Sequence, residues 1–249
     1  MIELSDAELE RYARHIALPQ VAGFGQRRLK ETSIAVVGAG GIGSGVIPSL
    51  AGAGVGRLTI IDFDKVELAN LQRQPLFRER DVGYAKAEMA AQFAHRLNRF
   101  VDAKPVEQRL SSENAEQLLG SHDLVIDGSD NFTTRLAVSD ACVALGIPLL
   151  SAAAVQFQGQ VGLFRSKPCY RCFVGDAFDA DDCDNCAELG VLGALTATVG
   201  GFAALLAINS ILGVGEPHAG TLHLFDGEKL SWRTIGIPPD PGCKSCGSG

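Results

Sequence analysis

The sequence predicts an α/β fold with a mostly parallel sheet, an antiparallel extension and a structural zinc site. Up to residue 154, apolar strand-like runs alternate with helix-like segments. Beyond it, strand-like segments follow one another without intervening helices, and two Cys-x-x-Cys pairs occur. A chain of 249 residues suits one large α/β domain. We therefore predict a single domain, residues 1–249, with halves at 1–154 and 155–249.

Composition narrows the class of protein. The net charge of −7 argues against a nucleic-acid surface spread over the whole molecule. Residues 1–6 lack the basic region and apolar core of a signal peptide. The most apolar long segment, residues 191–214, is rich in Gly, Ala and Thr, and we interpret it as a buried helix rather than a membrane span. We expect a cytoplasmic protein that binds neither nucleic acid nor a membrane.

The N-terminal segment is predicted to be helical. Ser5 followed by Glu8 is a capping box, which predicts a helix through about Leu18. A second, short helix is expected near residues 26–31 and leads into the glycine-rich centre of the chain.

Residues 34–53 join an apolar strand-like run to a helix-like segment through three spaced glycines, which are Gly38, Gly40 and Gly43. Glycine permits the tight turn and the close approach of a phosphate, which then faces the N–H groups of the helix. A second strand, residues 57–62, ends at Asp62, where an acid that holds a ribose hydroxyl is expected. The pattern predicts a Rossmann-like fold that binds an adenine nucleotide, and NAD, FAD and ATP all fit it.

A long polar loop follows at residues 63–74, and long loops in compact α/β domains are often functional. The next helix, about residues 84–99, carries Lys86 in its first turn. The helix dipole disfavours a cation there, which suggests an external anion, although an exposed lysine is the commoner case. A strand at residues 103–110 and a helix at 112–119 are expected next.

A buried type of strand, residues 123–127, runs directly into the polar stretch 128–131. In open α/β sheets, ligands bind outside the carboxyl ends of the strands, so Asp130 and Asn131 should face the nucleotide. A helix at residues 132–145 and a strand at 148–153 follow.

The remaining strand-like segments are residues 155–165 and 221–233, with a hairpin signal at Asp226-Gly227. Because no helix connects strands in this part, we expect it to extend the sheet in antiparallel fashion.

Two Cys-x-x-Cys pairs, each a potential zinc knuckle, predict a closed tetrahedral zinc site. A redox pair is the alternative, but it would not need a partner pair. The predicted zinc ligands are Cys169, Cys172, Cys243 and Cys246. The site would tie the C-terminal tail to the second half of the fold.

Other cysteines have less specific surroundings. Cys183 and Cys186 form a third pair in an acidic segment, and a metal pair, a disulfide and a reactive thiol all fit it. Cys186 would lie at or near a helix N-terminus, where a thiolate is stabilised. Cys142, within an apolar helix, is interpreted as a small buried residue.

Cations, carboxylates and amides should meet at the nucleotide end of the sheet. Chemistry at a triphosphate needs cations to offset phosphate charge and a carboxylate to hold Mg²⁺, whereas dehydrogenases rarely need such a set. The set consists of Asp62, Asp64, Asn70, Arg73, Gln74, Lys86, Asp130 and Asn131. The set favours an enzyme that acts on the phosphates of ATP over an NAD-dependent oxidoreductase, which is the alternative class of enzyme.

Taken together, residues 4–73, the Gly83-x-x-Lys86 turn, residues 127–131, the zinc pairs and residues 190–193 resemble the ThiF/MoeB/HesA family of bacterial relatives of ubiquitin-activating enzymes. The length fits the MoeB type without an appended rhodanese domain. The resemblance implies a Mg²⁺- and ATP-dependent adenylyltransferase. Its substrate would be the C-terminal glycine of a small ubiquitin-fold sulfur carrier of the MoaD or ThiS type, with pyrophosphate released. A sulfur donor would later form the thiocarboxylate for molybdopterin or thiamine biosynthesis.

The resemblance also implies roles for the nucleotide-binding residues. Gly41 would bind ATP through its backbone, and Asp62 would hold the ribose. Three polar residues would contact the phosphates, namely Asn70, Arg73 and Lys86.

Further roles follow from the same resemblance. Asp130 would hold Mg²⁺, with Asn131 beside it; as isolated residues both are equally typical helix caps. Arg14 would reach the phosphates of a neighbouring subunit, which implies a homodimer; alone it would be an exposed helix charge. Cys186 matches a cysteine that bonds to the carrier in some members and is dispensable in others. Cys169, Cys172, Cys243 and Cys246 match the family's zinc ligands.

Two further alternatives have weaker support. A non-catalytic module that docks a ubiquitin-like protein would not need the full set of cations and carboxylates. A family sibling that activates a tRNA-linked carboxylate fits less well with the acidic balance and the two zinc pairs.

Overall fold

The structure is a computed structural model that describes residues 3–175, 190–215 and 218–247. The strands in this part of the chain form one continuous sheet. In chain order the strands are β1 (Ser33–Val37), β2 (Arg57–Ile61), β3 (Asp102–Val106), β4 (Leu124–Asp127), β5 (Leu149–Val155), β6 (Gln158–Phe164), β7 (Thr221–Asp226) and β8 (Ser231–Gly236). Their order across the sheet is β3-β2-β1-β4-β5-β6-β7-β8. The strands from β3 to β5 pair in parallel, and β6, β7 and β8 are added antiparallel. The predicted mostly parallel sheet with an antiparallel extension is confirmed.

Helices cover both faces of the sheet. They are α1 (Asp6–Arg11), α2 (Ala13–Ile16), α3 (Ala22–Glu31), α4 (Gly43–Ala53), α5 (Lys86–Leu97), α6 (Ala115–Leu119), α7 (Phe132–Leu145), α8 (Tyr170–Val174) and α9 (Gly193–Leu212). On β1, Ile34 and Val36 face the core beneath α4, α5 and α9, whereas Ala35 and Val37 face the core beneath α6 and α7. This two-sided burial explains why β1 is apolar from Ile34 to Val37.

The N-terminal helices differ from the prediction. The capping box is present, with the Ser5 N–H donating to Glu8 Oε2 at 2.9 Å. The single helix expected through Leu18 is instead α1 and α2, interrupted at Tyr12. Tyr12 is buried, and its hydroxyl accepts a hydrogen bond from Asn98 Nδ2 at 2.8 Å. This tertiary contact holds Tyr12 at the break between the two helices.

The start of α3 was predicted four residues too late. Glycine disfavours helix, so residues 22–25 carry little helical signal. In the fold, Gly25 is buried so close to α9 that an added Cβ would lie 3.0 Å from Leu212 Cδ2. Packing against α9 therefore accounts for this first turn.

Two predicted strands have different ends. The strand expected at residues 103–110 stops at Val106, and the chain beyond it contributes Gln108 and Leu110 to a cavity. The segment 221–233 is a hairpin of β7 and β8, as its Asp-Gly signal indicated. Asp226 Oδ1 stabilises the turn by accepting hydrogen bonds from the Glu228 and Lys229 N–H groups at 3.1 and 3.0 Å.

Helix α9 is long and apolar enough to cross a membrane by composition alone, a weak criterion that core helices also meet. It packs against α4, β5 and β6, and an added Cβ on Gly45 of α4 would lie 3.0 Å from Gly200 Cα. Leu195, Val199 and Ala203 of α9 are buried in the main core. These contacts support the interpretation as a buried helix.

Candidate active site

A cavity of about 1200 Å³ opens at the carboxyl edge of the parallel strands. Its volume exceeds the range of about 300–1,000 Å³ that is typical of small-molecule pockets. Eleven of the predicted nucleotide-site residues line it: Gly38, Gly40, Gly41, Asp62, Asp64, Asn70, Arg73, Gln74, Lys86, Asp130 and Asn131. The site is therefore assembled where the strand order reverses between β1 and β4.

The glycine turn after β1 packs tightly against the loop that follows β4. Gly38 has φ +90°, and an added Cβ would lie 3.1 Å from the carbonyl oxygen of Gly128. A Cβ on Gly43 would clash with the Gly38 carbonyl, and Gly43 does not line the cavity. Gly43 thus closes the turn at the start of α4, while Gly40 and Gly41 face the cavity.

Asp62 spans the turn from the end of β2. Its Oδ2 accepts a hydrogen bond from the Ala39 N–H at 2.7 Å, and its Oδ1 accepts one from the Asp64 N–H at 2.8 Å. Burial raises the pKa of Asp62 above the usual aspartate value, and the two N–H donors oppose that rise. The carboxylate is held in one orientation at the cavity wall, as a ribose-binding acid requires.

Lys86 is buried, so the exposed-lysine alternative is wrong. Its side chain is 8% exposed, and its Nζ forms an ion pair with Asp64 Oδ2 at 3.0 Å. The backbone N–H of Lys86 also donates to the Asp64 carbonyl at 2.9 Å. The ion pair holds the ammonium group in the cavity wall at the start of α5, where an anionic ligand can reach it.

The polar loop after β2 supplies the next wall. Arg73 Nη1 donates to the Ala69 carbonyl at 3.2 Å, and Asn70 Oδ1 accepts from the Glu67 N–H at 3.3 Å. Gln74 is 3% exposed, and its Oε1 has no hydrogen-bond partner among the described residues. A buried amide oxygen without a partner is costly, so this atom fits a ligand that donates a hydrogen bond.

The turn after β4 carries the candidate magnesium acid. Ser129 donates to Asp127 Oδ1 from its N–H at 2.9 Å and from its hydroxyl at 2.7 Å. Asn131 Oδ1 accepts from the Thr134 N–H at 2.9 Å and so caps α7. Asp130 is exposed between these two fixed residues. Asp130 lines the same cavity as Lys86 and Arg73, and an exposed carboxylate there could hold a divalent cation.

Sequence reasoning missed Arg135, which is 6% exposed and lines the cavity wall. Its Nη1 donates to Ser151 Oγ at 3.1 Å and lies 3.8 Å from Asp127 Oδ2. Its Nη2 donates to the carbonyls of Ala152, at 3.1 Å, and Ser129. Arg135 thus ties the Asp130 turn to β5. The available signal was that Arg135 is the one basic residue of α7.

We expect Arg135→Met to destabilise the protein by about 3–5 kcal/mol, because Asp127 would stay buried without its counter-charge. Urea unfolding would measure this change. The double variant Arg135→Met/Asp127→Ala should recover part of the loss, and Arg57→Met, at an exposed position on β2, should stay within about 0.5 kcal/mol of the wild type. Equal stability of Arg135→Met and wild type would contradict a structural role for this ion pair.

The two predicted zinc pairs meet in space. All four sulfur atoms lie within 4.8 Å of one another, with Sγ–Sγ distances of 3.5 Å for Cys169–Cys243 and 3.3 Å for Cys172–Cys246. Zn–S bonds of about 2.3 Å in a tetrahedron place sulfurs about 3.8 Å apart, so the cluster fits zinc. The Asp240 N–H donates to Cys172 Sγ at 3.4 Å, as expected of a backbone group that stabilises a metal-binding thiolate.

The other cysteines are distinct from this cluster. Cys142 is buried in α7, and burial raises the pKa of its thiol to about 12, which agrees with an inert core residue. Cys183 and Cys186 lie outside the described residues. Arg14 is exposed on α2 and does not line the cavity of its own chain.

The far end of the cavity was also missed. The chain's antiparallel extension lines it through Gln158, Gln160, Leu224, Asp226, Ser231 and Arg233. Their residue types resemble an ordinary exposed strand face, and only the sheet register places them beside the nucleotide region.

Comparisons with known proteins agree with this architecture. The sulfur carrier protein adenylyltransferase of Thermus thermophilus is 44% identical over 247 residues, covering 96% of this chain and 91% of the relative. The SAMP-activating enzyme E1 of Haloferax volcanii is 41% identical over 249 residues, covering 100% and 92%. The molybdopterin-synthase adenylyltransferase of Escherichia coli is 37% identical over 250 residues, covering 99% and 100%.

Solved structures show the same fold at lower identity. The crystal structure of E. coli MccB with MccA-N7isoASN has a TM-score of 0.82 and 22% identity, covering 99% of this chain and 76% of that one. The sequence model of the ThiF family matches residues 12–245. Because that match spans nearly the whole length and the relatives above exceed 30% identity, the chain belongs to the ThiF family.

Proposed function

We propose that this protein is an ATP-dependent adenylyltransferase that activates the C-terminal glycine of a ubiquitin-fold sulfur carrier ending in Gly-Gly. The observation that carries the proposal is that Lys86, Arg73 and Asp130 line the same cavity as the glycine turn. The names of the relatives, which are adenylyltransferases and an activating enzyme, support it over the oxidoreductase and tRNA-linked alternatives.

The reaction joins the carrier's terminal carboxylate to AMP. One carboxylate oxygen bonds to the α-phosphorus, the bond between that phosphorus and the bridging oxygen breaks, and pyrophosphate leaves with the electron pair. Lys86 and Arg73 offset the charge that builds on the phosphates in the transition state. Asp130 would hold Mg²⁺, which neutralises phosphate charge when bound.

Nucleotide binding follows from the fixed parts of the cavity. Gly40 and Gly41 present backbone to the phosphates, and Asp62 accepts a hydrogen bond from a ribose hydroxyl. Gln74 accepts a further hydrogen bond through its unpaired oxygen. Asp64 acts mainly on Lys86, whose ammonium group it orients.

Other parts of the proposal extend beyond one cavity. Arg14 is exposed and does not line the cavity of its own chain, so it would contact the phosphates only across a homodimer interface. The four-cysteine cluster would hold a structural Zn²⁺ that ties residues 240–247 to α8.

We assign residues 1–154 to nucleotide binding and residues 155–249 to carrier binding. We assign the enzyme to cytoplasmic sulfur transfer in molybdopterin or thiamine biosynthesis. Cys186 is the candidate that bonds to the carrier.

Exchange of labelled pyrophosphate into ATP tests this function. With ATP and a purified MoaD- or ThiS-type carrier, the wild type should show carrier-dependent exchange. Lys86→Met should lower the rate by about 100-fold, because a cation at the phosphates is removed. Lys104→Met is the matched control, since Lys104 is exposed on β3 outside the cavity. Nicotinamide binding without any exchange would overturn the proposal.

A further inference from the structure

Two histidines lie together near the start of β7, on the side of the sheet that α9 covers. His218 precedes the strand by three residues, and His223 is the third residue of the strand. Their ring centroids are 6.2 Å apart. Phe202 of α9 packs against His223, with ring centroids 5.1 Å apart. Neither histidine lines the nucleotide cavity, so the pair is a separate feature of the molecule.

Each of the two rings has a buried nitrogen without a hydrogen-bond partner. The Nε2 atoms of His218 and His223 are both shielded from solvent, and neither has a partner among the described residues. A buried polar atom that is left unpaired destabilises the folded state, so such atoms are rare in folded proteins. Two of them on neighbouring imidazole rings indicate that a ligand binds both.

The second ring nitrogen of His223 is held by the neighbouring strand. Its Nδ1 lies 3.0 Å from the hydroxyl oxygen of Thr234, the residue that faces it on β8. An imidazole that donates from Nδ1 to this oxygen keeps a lone pair on Nε2. Metal-binding histidines are typically oriented by such a hydrogen bond on the other ring nitrogen. Burial, together with the nearby His218, lowers the pKa of His223, so the ring is neutral at physiological pH.

A glycine borders the free nitrogen of His218. Gly215 has φ +83°, and an added Cβ would lie 3.2 Å from His218 Nε2. A side chain at this position would press against the nitrogen. Glycine therefore keeps the space beside Nε2 free of side-chain atoms, as a nitrogen that binds a small ion requires.

The separation of the two rings indicates the kind of ion. With metal–nitrogen bonds of about 2.0 Å and a ring radius of about 1.2 Å, two imidazoles on opposite sides of one ion have centroids about 6.4 Å apart. A tetrahedral angle would bring the centroids to about 5.2 Å. The observed 6.2 Å fits the opposite arrangement. That arrangement occurs in tetragonal coordination, which is typical of Cu²⁺ and Ni²⁺ rather than of Zn²⁺.

We propose that His218 and His223 bind one Ni²⁺ or Cu²⁺ ion through their Nε2 atoms, with water in the remaining coordination positions. The ion ties the segment before β7 to the strand itself. This site is distinct from the four-cysteine cluster, whose thiolates suit Zn²⁺. It does not rest on the proposed function, because neither histidine lines the nucleotide cavity.

Titration calorimetry with Ni²⁺ tests the site on untagged protein, so that no purification tag supplies imidazoles. The wild type should bind one Ni²⁺ per chain at the histidine pair. His218→Gln and His223→Gln should each weaken this binding by at least about tenfold, because one of two protein ligands is lost. His95→Gln is the matched control and should bind Ni²⁺ like the wild type. His95 is exposed on α5, and its Nε2 lies 2.9 Å from the Ala103 carbonyl oxygen.

Thermal unfolding of the same samples gives a second measurement. Ni²⁺ at about 100 times its Kd should raise the wild-type midpoint by about 5–11 °C, because the site exists only in the folded state. The rise should disappear in both histidine variants, and their metal-free midpoints show that they are folded. Unchanged Ni²⁺ affinity in both variants would overturn the proposal. So would a loss of zinc equal to the Ni²⁺ bound, since the ion would then occupy the cysteine cluster.

Electron paramagnetic resonance with one equivalent of Cu²⁺ tests the geometry. The wild type should give a tetragonal spectrum with splitting from two imidazole nitrogens, and each histidine variant should lose the splitting from one of them. A spectrum of copper bound to thiolates, or a wild-type spectrum without nitrogen splitting, would refute the histidine site.

Discussion

Replacing Asp130 with alanine is expected to lower adenylate formation by about 10³-fold or more, because the metal that neutralises the phosphates would lose its protein ligand. The fold should survive the change. The turn is stabilised by hydrogen bonds from Ser129 to Asp127 and from the Thr134 N–H to Asn131. None of these hydrogen bonds involves the Asp130 side chain. Carrier-dependent pyrophosphate exchange and the thermal midpoint should be measured on the same preparation.

The control for this variant is Asp102→Ala. Asp102 is a half-exposed carboxylate on β3, outside the cavity, so exchange should stay at the wild-type rate. Raising Mg²⁺ should not restore the activity of Asp130→Ala if the side chain is a direct ligand. Full exchange activity in Asp130→Ala would show that the metal is held elsewhere.

We expect Cys169→Ala to destabilise the protein strongly, because it removes one of the four candidate zinc ligands. Structural zinc contributes about 10–16 kcal/mol of apparent binding free energy in small domains, so one ligand in four carries about 3 kcal/mol. For a chain of this size, that loss lowers the thermal midpoint by about 6–12 °C. Cys169 is 1% exposed at the start of α8, and its sulfur lies 3.5 Å from that of Cys243 in the C-terminal tail, which explains why a single sulfur matters.

Cys142→Ala provides the comparison, because it removes a buried thiol with no metal partner and should cost only about 1 kcal/mol. Metal analysis should find one zinc per wild-type chain, and a chelator should bring the wild-type midpoint down toward that of Cys169→Ala. A wild type without zinc, or a Cys169→Ala variant with an unchanged midpoint, would refute the zinc assignment.

Much of the nucleotide site was predictable because its signals are local. Gly38, Gly40 and Asp62 are placed by a strand–turn–helix–strand unit whose geometry the chain specifies over about 30 residues. The zinc pairs are equally local, since each Cys-x-x-Cys is a knuckle by itself. Their pairing across about 70 residues was inferred from the chemistry of zinc, and the four sulfur atoms do meet.

Other features depended on contacts that no local pattern encodes. The local pattern around Lys86 is also compatible with a surface lysine, and its burial against Asp64 decides between the two. The break at Tyr12 depends on Asn98, which lies 86 residues away. Arg135 is recognisable as a structural arginine only after β4, β5 and α7 have come together around it.

The sequence by itself therefore determined the kind of sheet, the nucleotide edge and the composition of the metal cluster, because each depends on residue types at short, fixed spacing. Tertiary structure alone decided which polar residues are buried, which are paired, and how the strands of the antiparallel extension align. That alignment places Arg233 at the same cavity as Asp130, although the two residues lie about a hundred positions apart in the sequence. The physical reason is that register, and not separation along the chain, sets which residues are neighbours across a sheet.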